Sequence, residues 1–341
     1  MRIPFDELLE RTRTLFEENG LQPEYAKITA EAICTASLRG TDSHGIRLIP
    51  HYIRAIKAGR IEAGVSFDFR KTSLSTGILD ARHGMAHAAV ARAMDYATEL
   101  AAEAGSGFVA VKNSNHCGAM AYYALRAAEK GMIGLAFTNA TAKVKVFNAT
   151  RPFFGINPLC VAAPMEGEEP FCYDAAPTVM SNNKVKMVAE AGQELPEWVA
   201  ADKAGKMTRD PALSKMLLPL GGELGGYKGY GMAMVADIFS SLLSGMPNGL
   251  QVSSMYPSDG GDLDKKRYLG QFVGAIRIDL FEEASVFKER MRKTAEEVRN
   301  LNREDPEREV MIPGDPEKKV AEKRRREGIE LSGELQDLFG I

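Results

Sequence analysis

Residues 105–123 read GSGFVAVKNSNHCGAMAYY, and the order of elements around them decides the fold class. The apolar run Gly107–Val111 predicts a short buried strand, and Ala119–Lys130 predicts a helix closed by Gly131. The first six residues match the spacing G-x-G-x-x-A of a dinucleotide-binding turn. That turn needs a strand before it and a helix after it, so that a pyrophosphate meets free N–H groups at the helix start. Here the Ala-rich helix predicted over Ala86–Ala104 comes first and the strand second, which rules out a Rossmann turn at this point. No Gly-Lys pair is followed by Ser or Thr, so a Walker loop is ruled out too.

His116 falls in the polar loop between that strand and that helix. The strand fixes its position, the loop exposes it, and a nearby helix start disfavours the imidazolium. A histidine kept neutral near pH 7 is a proton acceptor; from local sequence alone, a capping or packing role is equally open. His44 repeats the arrangement in Thr41–Arg47, TDSHGIR, at the mouth of a helix over Leu48–Ala58 with Ile49, Ile53 and Ile56 on one face and Tyr52 nearby. His83 and His87 are four apart, but no Glu or Cys stands at a matching offset, so no metal is expected.

Further out, amphipathic and Ala-rich helices are expected over Ile3–Asn19 and Tyr25–Arg39, and short strands between Val65 and Asp80. Beyond the central stretch come strands at Met132–Asn139, Phe154–Ala163 (with Asn157-Pro158 as an irregular turn inside it) and Phe171–Asp174. Asp174 is followed by Ala175 and Ala176, a carboxylate beside nearly bare backbone, suited to accepting bonds from ligand hydroxyls or to capping a helix over Ser181–Glu190. Leu220–Gly231, LGGELGGYKGYG, has six glycines in twelve residues and reads as an open turn before a helix over Met232–Leu243. It is either an anion cradle with Lys228 as counter-charge or a structural turn. A strand over Gly270–Leu280, a helix over Ser285–Arg299 and a mixed-charge solvated stretch from Asn302 to Gly328 complete the chain.

With 341 residues and a formal charge of −3, the composition is that of an ordinary globular protein, with no pull toward nucleic acid or membrane. Cys34, Cys117, Cys160 and Cys172 form no C-x-x-C pair, and the N-terminus reads as an amphipathic helix rather than a signal peptide. Reduced thiols and a cytoplasmic address are expected.

Ser43-His44-Gly45, Ser114-Asn115-His116-Cys117-Gly118, Thr138-Asn139, Gly155-Ile156-Asn157-Pro158, Leu218-Pro219-Leu220-Gly221, Gly226-Tyr227-Lys228-Gly229 and Pro313-Gly314-Asp315 together resemble the type-2 malate/L-lactate dehydrogenase family, which also holds sulfolactate, ureidoglycolate and diketogulonate oxidoreductases. The resemblance runs from about residue 5 to 335. It implies an NAD- or NADP-dependent oxidoreductase of small 2-hydroxy and 2-keto acids, acting as a homodimer. It also implies an α/β fold whose non-Rossmann cofactor domain carries a largely antiparallel sheet, with a helical domain built from both chain ends. The implied division is 1–75 (N-terminal helices), 76–125 with 221–294 (central α/β part), 126–220 (cofactor part) and 295–341 (C-terminal helices packing on the first). By position, His44 and His116 match the family's acid/base histidines; Ser43 and Tyr52 are expected on the substrate side, with Arg47 as the guanidinium to orient the carboxylate. Asn139, Ala140, Asp174, Ala175, Ala176, Tyr227, Lys228, Pro313, Gly314 and Asp315 match cofactor contacts.

Two departures stand out. Many relatives carry Arg four residues after the first motif histidine, where this chain has Leu48, with Arg47 one place earlier; on a helix one residue is a swing of about 100°. The stretch after Thr138-Asn139, usually rich in Pro and Gly, reads Ala142–Ala149, AKVKVFNA. His116 is expected as the base and His44 as a second acid/base or substrate hydrogen bonder, with the exchanged roles open; Lys143, Lys145 and Lys184 are either partners for a 2′-phosphate, if NADP is the cofactor, or solvent-facing lysines. The alternatives are a cofactor-free hydrolase or lyase using His116 with Asp174, and a non-catalytic binding protein on the same fold.

Overall fold

A computed structural model describes residues 1–257 and 260–341. Its helices are α1 (Phe5–Glu18), α2 (Pro23–Leu38), α3 (Ile49–Lys57), α4 (Ala86–Ala104), α5 (Ala121–Glu129), α6 (Asn182–Glu190), α7 (Gly222–Asp237), α8 (Ala284–Arg299), α9 (Asp315–Glu327) and α10 (Gly333–Phe339). The strands are β1 (Arg2–Ile3), β2 (Asp68–Lys71), β3 (Thr76–Asp80), β4 (Ser106–Ser114), β5 (Met132–Thr138), β6 (Ala142–Lys145), β7 (Pro152–Gly155), β8 (Leu159–Ala163), β9 (Phe171–Ala175), β10 (Ala200–Ala201), β11 (Met207–Thr208), β12 (Met216–Leu217), β13 (Leu269–Arg277) and β14 (Ile329–Glu330).

The main sheet runs β2-β3-β4-β13-β5-β8-β9. Its neighbours are antiparallel except for β3 and β4, which are parallel. A second sheet, β11-β10-β12-β6-β7, has one parallel pair, β12 with β6. The fold is therefore mixed α/β rather than purely antiparallel.

Helices α4 and α5 cover one face of the main sheet, and small residues let them come close. A Cβ on Gly107 would lie 2.0 Å from the Ala97 carbonyl oxygen of α4, and one on Gly134 would lie 2.1 Å from that of Ala124 in α5. Gly105, at φ 89°, ends α4 by donating to Ala101 O at 2.8 Å. The glycines that mimic a dinucleotide motif thus stop a helix and admit it to the sheet. On the opposite face, α7 runs into a π-helical turn, Ile238–Leu242, whose Phe239 lies 5.1 Å from the rings of both Phe137 and Phe272.

The chain ends meet. β1 pairs with β14, α9 packs on α2 and α10 on α3, around a core that includes Leu8, Phe16, Ile33, Leu48, Tyr52 and Ile329. No described helix is long and apolar enough to cross a membrane.

Two expectations are corrected. Residues 154–163 are not one strand, because Asn157 breaks the run: its buried amide accepts from Ala140 N at 2.9 Å and donates to Ala233 O at 3.0 Å, leaving β7 and β8 in different sheets. The stretch 220–231 is not an open turn, since α7 begins at Gly222. Its glycines make room for packing: a Cβ on Gly229 would sit 2.5 Å from Leu220 N and O, and one on Gly226 3.2 Å from Pro219 Cγ.

Candidate active site

All five histidines gather around Tyr52 and the end of β4. His116 follows β4, where the pairing with β13 slips between Leu269 and Gln271. Buried Gln271 spans the gap, its Nε2 donating to Asn115 O at 3.1 Å and to Thr138 Oγ1 at 3.2 Å. Asn115 in turn donates to the carbonyls of His83 (3.1 Å) and Gly84 (3.2 Å). Gly118, at φ 71°, has no room for a side chain, because a Cβ would meet His87 Nε2 at 2.9 Å. The backbone on both sides of His116 is therefore fixed.

His44 ends the short 3-10 turn Asp42–His44. Asn183 Nδ2 holds that turn through Ser43 O at 3.0 Å, and Arg324 holds it through both oxygens of Asp42 at 2.6 and 2.8 Å. The His44 and His116 rings lie 5.6 Å apart and 24° from parallel. Each is held at Nδ1 by a hydroxyl, Ser43 Oγ at 2.8 Å for His44 and Tyr52 OH at 2.7 Å for His116. In each ring Nε2 is the nitrogen left for a ligand.

Burial pushes the His44 imidazole down to about 4. It pushes His116 well below the ordinary histidine value, assisted by the charges of His44, His87, Arg267 and His51. Burial also raises Tyr52 well above the usual phenol range, so Tyr52 is a neutral O–H at pH 7.

A cavity of about 70 Å³ opens on both rings, with Asn139, Ala140, Asn183 and Arg267 in its wall. A groove of about 860 Å³ adjoins it, lined by Ser43, His44, Asp174, Ala175, Ala176, Pro313, Gly314 and Lys184 among others. The two share His44, Gly118, Ile156 and Pro158. The groove suits a nicotinamide dinucleotide: its volume falls in the range of cofactor sites, and Ala175, Ala176 and Gly314 leave the backbone accessible. Asp174 Oδ2 accepts from Ala121 N at 2.7 Å, so it caps α5, while α6 is capped by Ser181 Oγ. Its partner is neither the helix over Ser181–Glu190 nor His116.

Other expected residues lie elsewhere. Arg47 forms a two-pronged pair with Glu190 at 2.7 and 2.8 Å in a separate groove of about 670 Å³. The 3-10 turn Ile46–Leu48 swings it outward and sends Leu48 into the N-terminal core. Asp315 is absent from the described groove lining, because both its oxygens are tied to Arg299 at 2.7 and 2.8 Å, where they also meet Ile312 N. Asn139 lines the small cavity but spends its amide on Pro247 O and Gly270 N. Tyr227, 55% exposed, and Lys228 stand on α7 outside the linings of the groove and the histidine cavity. Sequence reasoning missed Arg267, Gln271 and Asn183. The one local signal was Lys265-Lys266-Arg267, a basic run entering an apolar strand, which reads as an ordinary charged turn.

The shape is that of a dehydrogenase: the malate dehydrogenase of Entamoeba histolytica superposes with a TM-score of 0.93 over 100% of this chain and 98% of its own, at 28% identity. The chain belongs to the malate/L-lactate dehydrogenase family, whose sequence model matches residues 3–338. The malate dehydrogenase of Pyrococcus abyssi is 34% identical over an alignment 343 positions long, covering 99% of this chain and 92% of its own. The NAD(+)-linked ureidoglycolate dehydrogenase of Escherichia coli K12 is 31% identical over 335, covering 98% and 94%.

Proposed function

We propose that this dehydrogenase interconverts a small 2-hydroxy acid and its 2-keto acid with NAD or NADP. The observation that carries the reading is the pair of hydroxyl-anchored imidazoles 5.6 Å apart, on the boundary between a small cavity and a long groove. A nicotinamide cofactor held along Ala175, Ala176 and Gly314 would supply or take up the hydride exchanged at C2 of the substrate. The protein's own work is proton transfer and orientation. With its proton on Nδ1, His116 donates to the Tyr52 oxygen and presents the Nε2 lone pair to the substrate hydroxyl. Tyr52 then faces the positive charge that His116 acquires. His44, held by Ser43, donates or accepts a second hydrogen bond at the same oxygen.

The groove takes its walls from α2, the stretch Gly118–Tyr122, β9 and the segment 309–317, so in this reading the cofactor would be held by residues of 126–220 together with residues of the central part and of both chain ends. Of the three lysines considered for a 2′-phosphate, Lys184 lines this groove, Lys143 lines the histidine cavity and Lys145 lines a separate pocket beside Trp198. The homodimer is part of the same reading. Leu224, Tyr227, Met234, Val235, Ile238 and Leu242 form an exposed stripe along α7 and its π turn, the kind of apolar surface that subunits cover.

The test is to follow reduced-nicotinamide absorbance with NAD and NADP against malate, lactate, sulfolactate, ureidoglycolate and cyclic imines. Turnover of an acid with either cofactor supports the reading. No turnover, together with an unmoved melting temperature on adding NADH or NADPH, overturns it.

A further inference from the structure

The histidine cavity holds a cation that the acid/base chemistry does not use. Arg267 enters the cavity wall just ahead of β13 and is only 4% exposed. Its Nη2 donates to Thr141 Oγ1 at 2.8 Å and to Ser253 O at 2.9 Å, while its buried Nε has no partner among the described residues. No carboxylate among the described residues pairs with it. A buried guanidinium without a counter-ion is costly, and proteins keep one where an anion completes it.

Arg60, also buried, shows how this fold treats a structural arginine. Its Nε, Nη1 and Nη2 each end on a carbonyl, of Lys265, Met255 and Asp262. Arg267 lacks that closure. The neighbouring candidates are committed elsewhere: Arg47 to Glu190, and Lys143, on the same cavity wall, to an interaction within the protein. Burial pulls the Arg267 guanidinium down to about 9, which still leaves it charged at pH 7.

We infer that Arg267 anchors the substrate carboxylate, taking the position at the reacting carbon that neither Arg47 nor Leu48 reaches. The inference rests on the 2-hydroxy-acid reading of the site and narrows it. Thr141 sets the plane of the guanidinium, Nη1, which has no partner among the described residues and, unlike Nε, is not sealed from solvent, is the donor kept for the anion, and the acid must be small enough for a cavity of about 70 Å³. The site is then selective for compounds whose carboxylate adjoins the carbon that exchanges hydride.

Wild type, R267Q and R267K are compared on the acid the wild type turns over best and on its primary amide, with oxalate binding followed by calorimetry in parallel. For R267Q, kcat/KM on the acid falls about 10²–10³-fold, mostly through KM, as for one partner removed from a buried charge pair. The amide is little affected, so the preference for acid over amide collapses, and NADH affinity stays as in wild type. R267K, which keeps the charge without the planar fork, lies between. Oxalate affinity falls in the same order. Unchanged acid-to-amide preference and oxalate affinity in R267Q overturn the inference; if R267Q fails to fold, wild-type values in R267K overturn it. Oxalate binding that depends on Arg267 in a protein that turns over no acid sustains the anchor and removes the proposed reaction. Acid turnover with oxalate binding indifferent to Arg267 does the reverse.

Discussion

The phenol of Tyr52, from α3, meets Nδ1 of His116, from the loop after β4, at 2.7 Å. The bond fixes which imidazole nitrogen faces the cavity, and it couples the N-terminal helices to the main sheet. Burial keeps both partners neutral, so the pair carries no standing charge at pH 7.

Replacing His116 by Gln removes the proton acceptor, and kcat falls about 10²–10⁴-fold. Tyr52→Phe keeps the ring and loses the bond, costing roughly 10-fold in kcat with KM little changed. Steady-state kinetics at saturating cofactor measure both, and wild-type turnover in both variants ends the two-histidine mechanism.

Low pH destabilises the fold through its buried histidines. Burial pushes His51 down to about 4 and His87 down to about 3, against about 6.5 in an unfolded chain. The unfolded chain therefore takes up protons first as pH falls. Stability is full above about pH 6.5 and declines toward pH 4, by ~2 kcal/mol for each of the two at pH 5. Both ring nitrogens of His87 are buried without a partner among the described residues, so His87→Leu flattens the decline at little cost at pH 7.5. Thermal melts at pH 7.5 and 5.0 check this; an equal loss in H87L and wild type refutes it.

The glycines of residues 220–231 are separable by packing. Gly225 has nothing within 4 Å of an added Cβ and lies inside α7, so Gly225→Ala adds about 0.5–1 kcal/mol. Gly107→Ala drives a methyl into the Ala97 carbonyl and costs about 3 kcal/mol. Urea titrations give both signs, and a destabilised G225A contradicts a free helical position.

The stripe on α7 is tested by charge. Leu224→Glu combined with Met234→Glu places two carboxylates on residues that are 94% and 49% exposed. Sedimentation finds the wild type at twice the chain mass and the double variant at the chain mass. A dimeric double variant moves the interface elsewhere.

The helices were the most legible part of the chain. The α4 reading, Ala86–Ala104, matches residue for residue because a nineteen-residue Ala-rich run has one compatible period. Sheet membership was not legible: residues 154–163 look continuous, and only the contacts of Asn157 with Ala140 and Ala233 divide them between two sheets. Glycine density misled at residues 220–231, since local sequence does not distinguish a flexible backbone from a helix packed tightly on Pro219 and Leu220. His44 and His116 were legible as residues at helix mouths. Arg267 was not, because what sets it apart is that no carboxylate among the described residues pairs with it, a property of three-dimensional surroundings that no spacing encodes.

The position of β13 in the main sheet bears on how the protein is made. It lies between β4 and β5, yet it comes from residues 269–277, more than a hundred residues after both. On the ribosome, the piece bearing His116 and the piece bearing Thr138 emerge early and wait as separate half-sheets. Only when the late strand slots in does Gln271 join their ends. Two strand edges thus stay open to chaperones or to misassociation until four-fifths of the chain has been translated, and the groove lacks a wall until residues 309–317 follow.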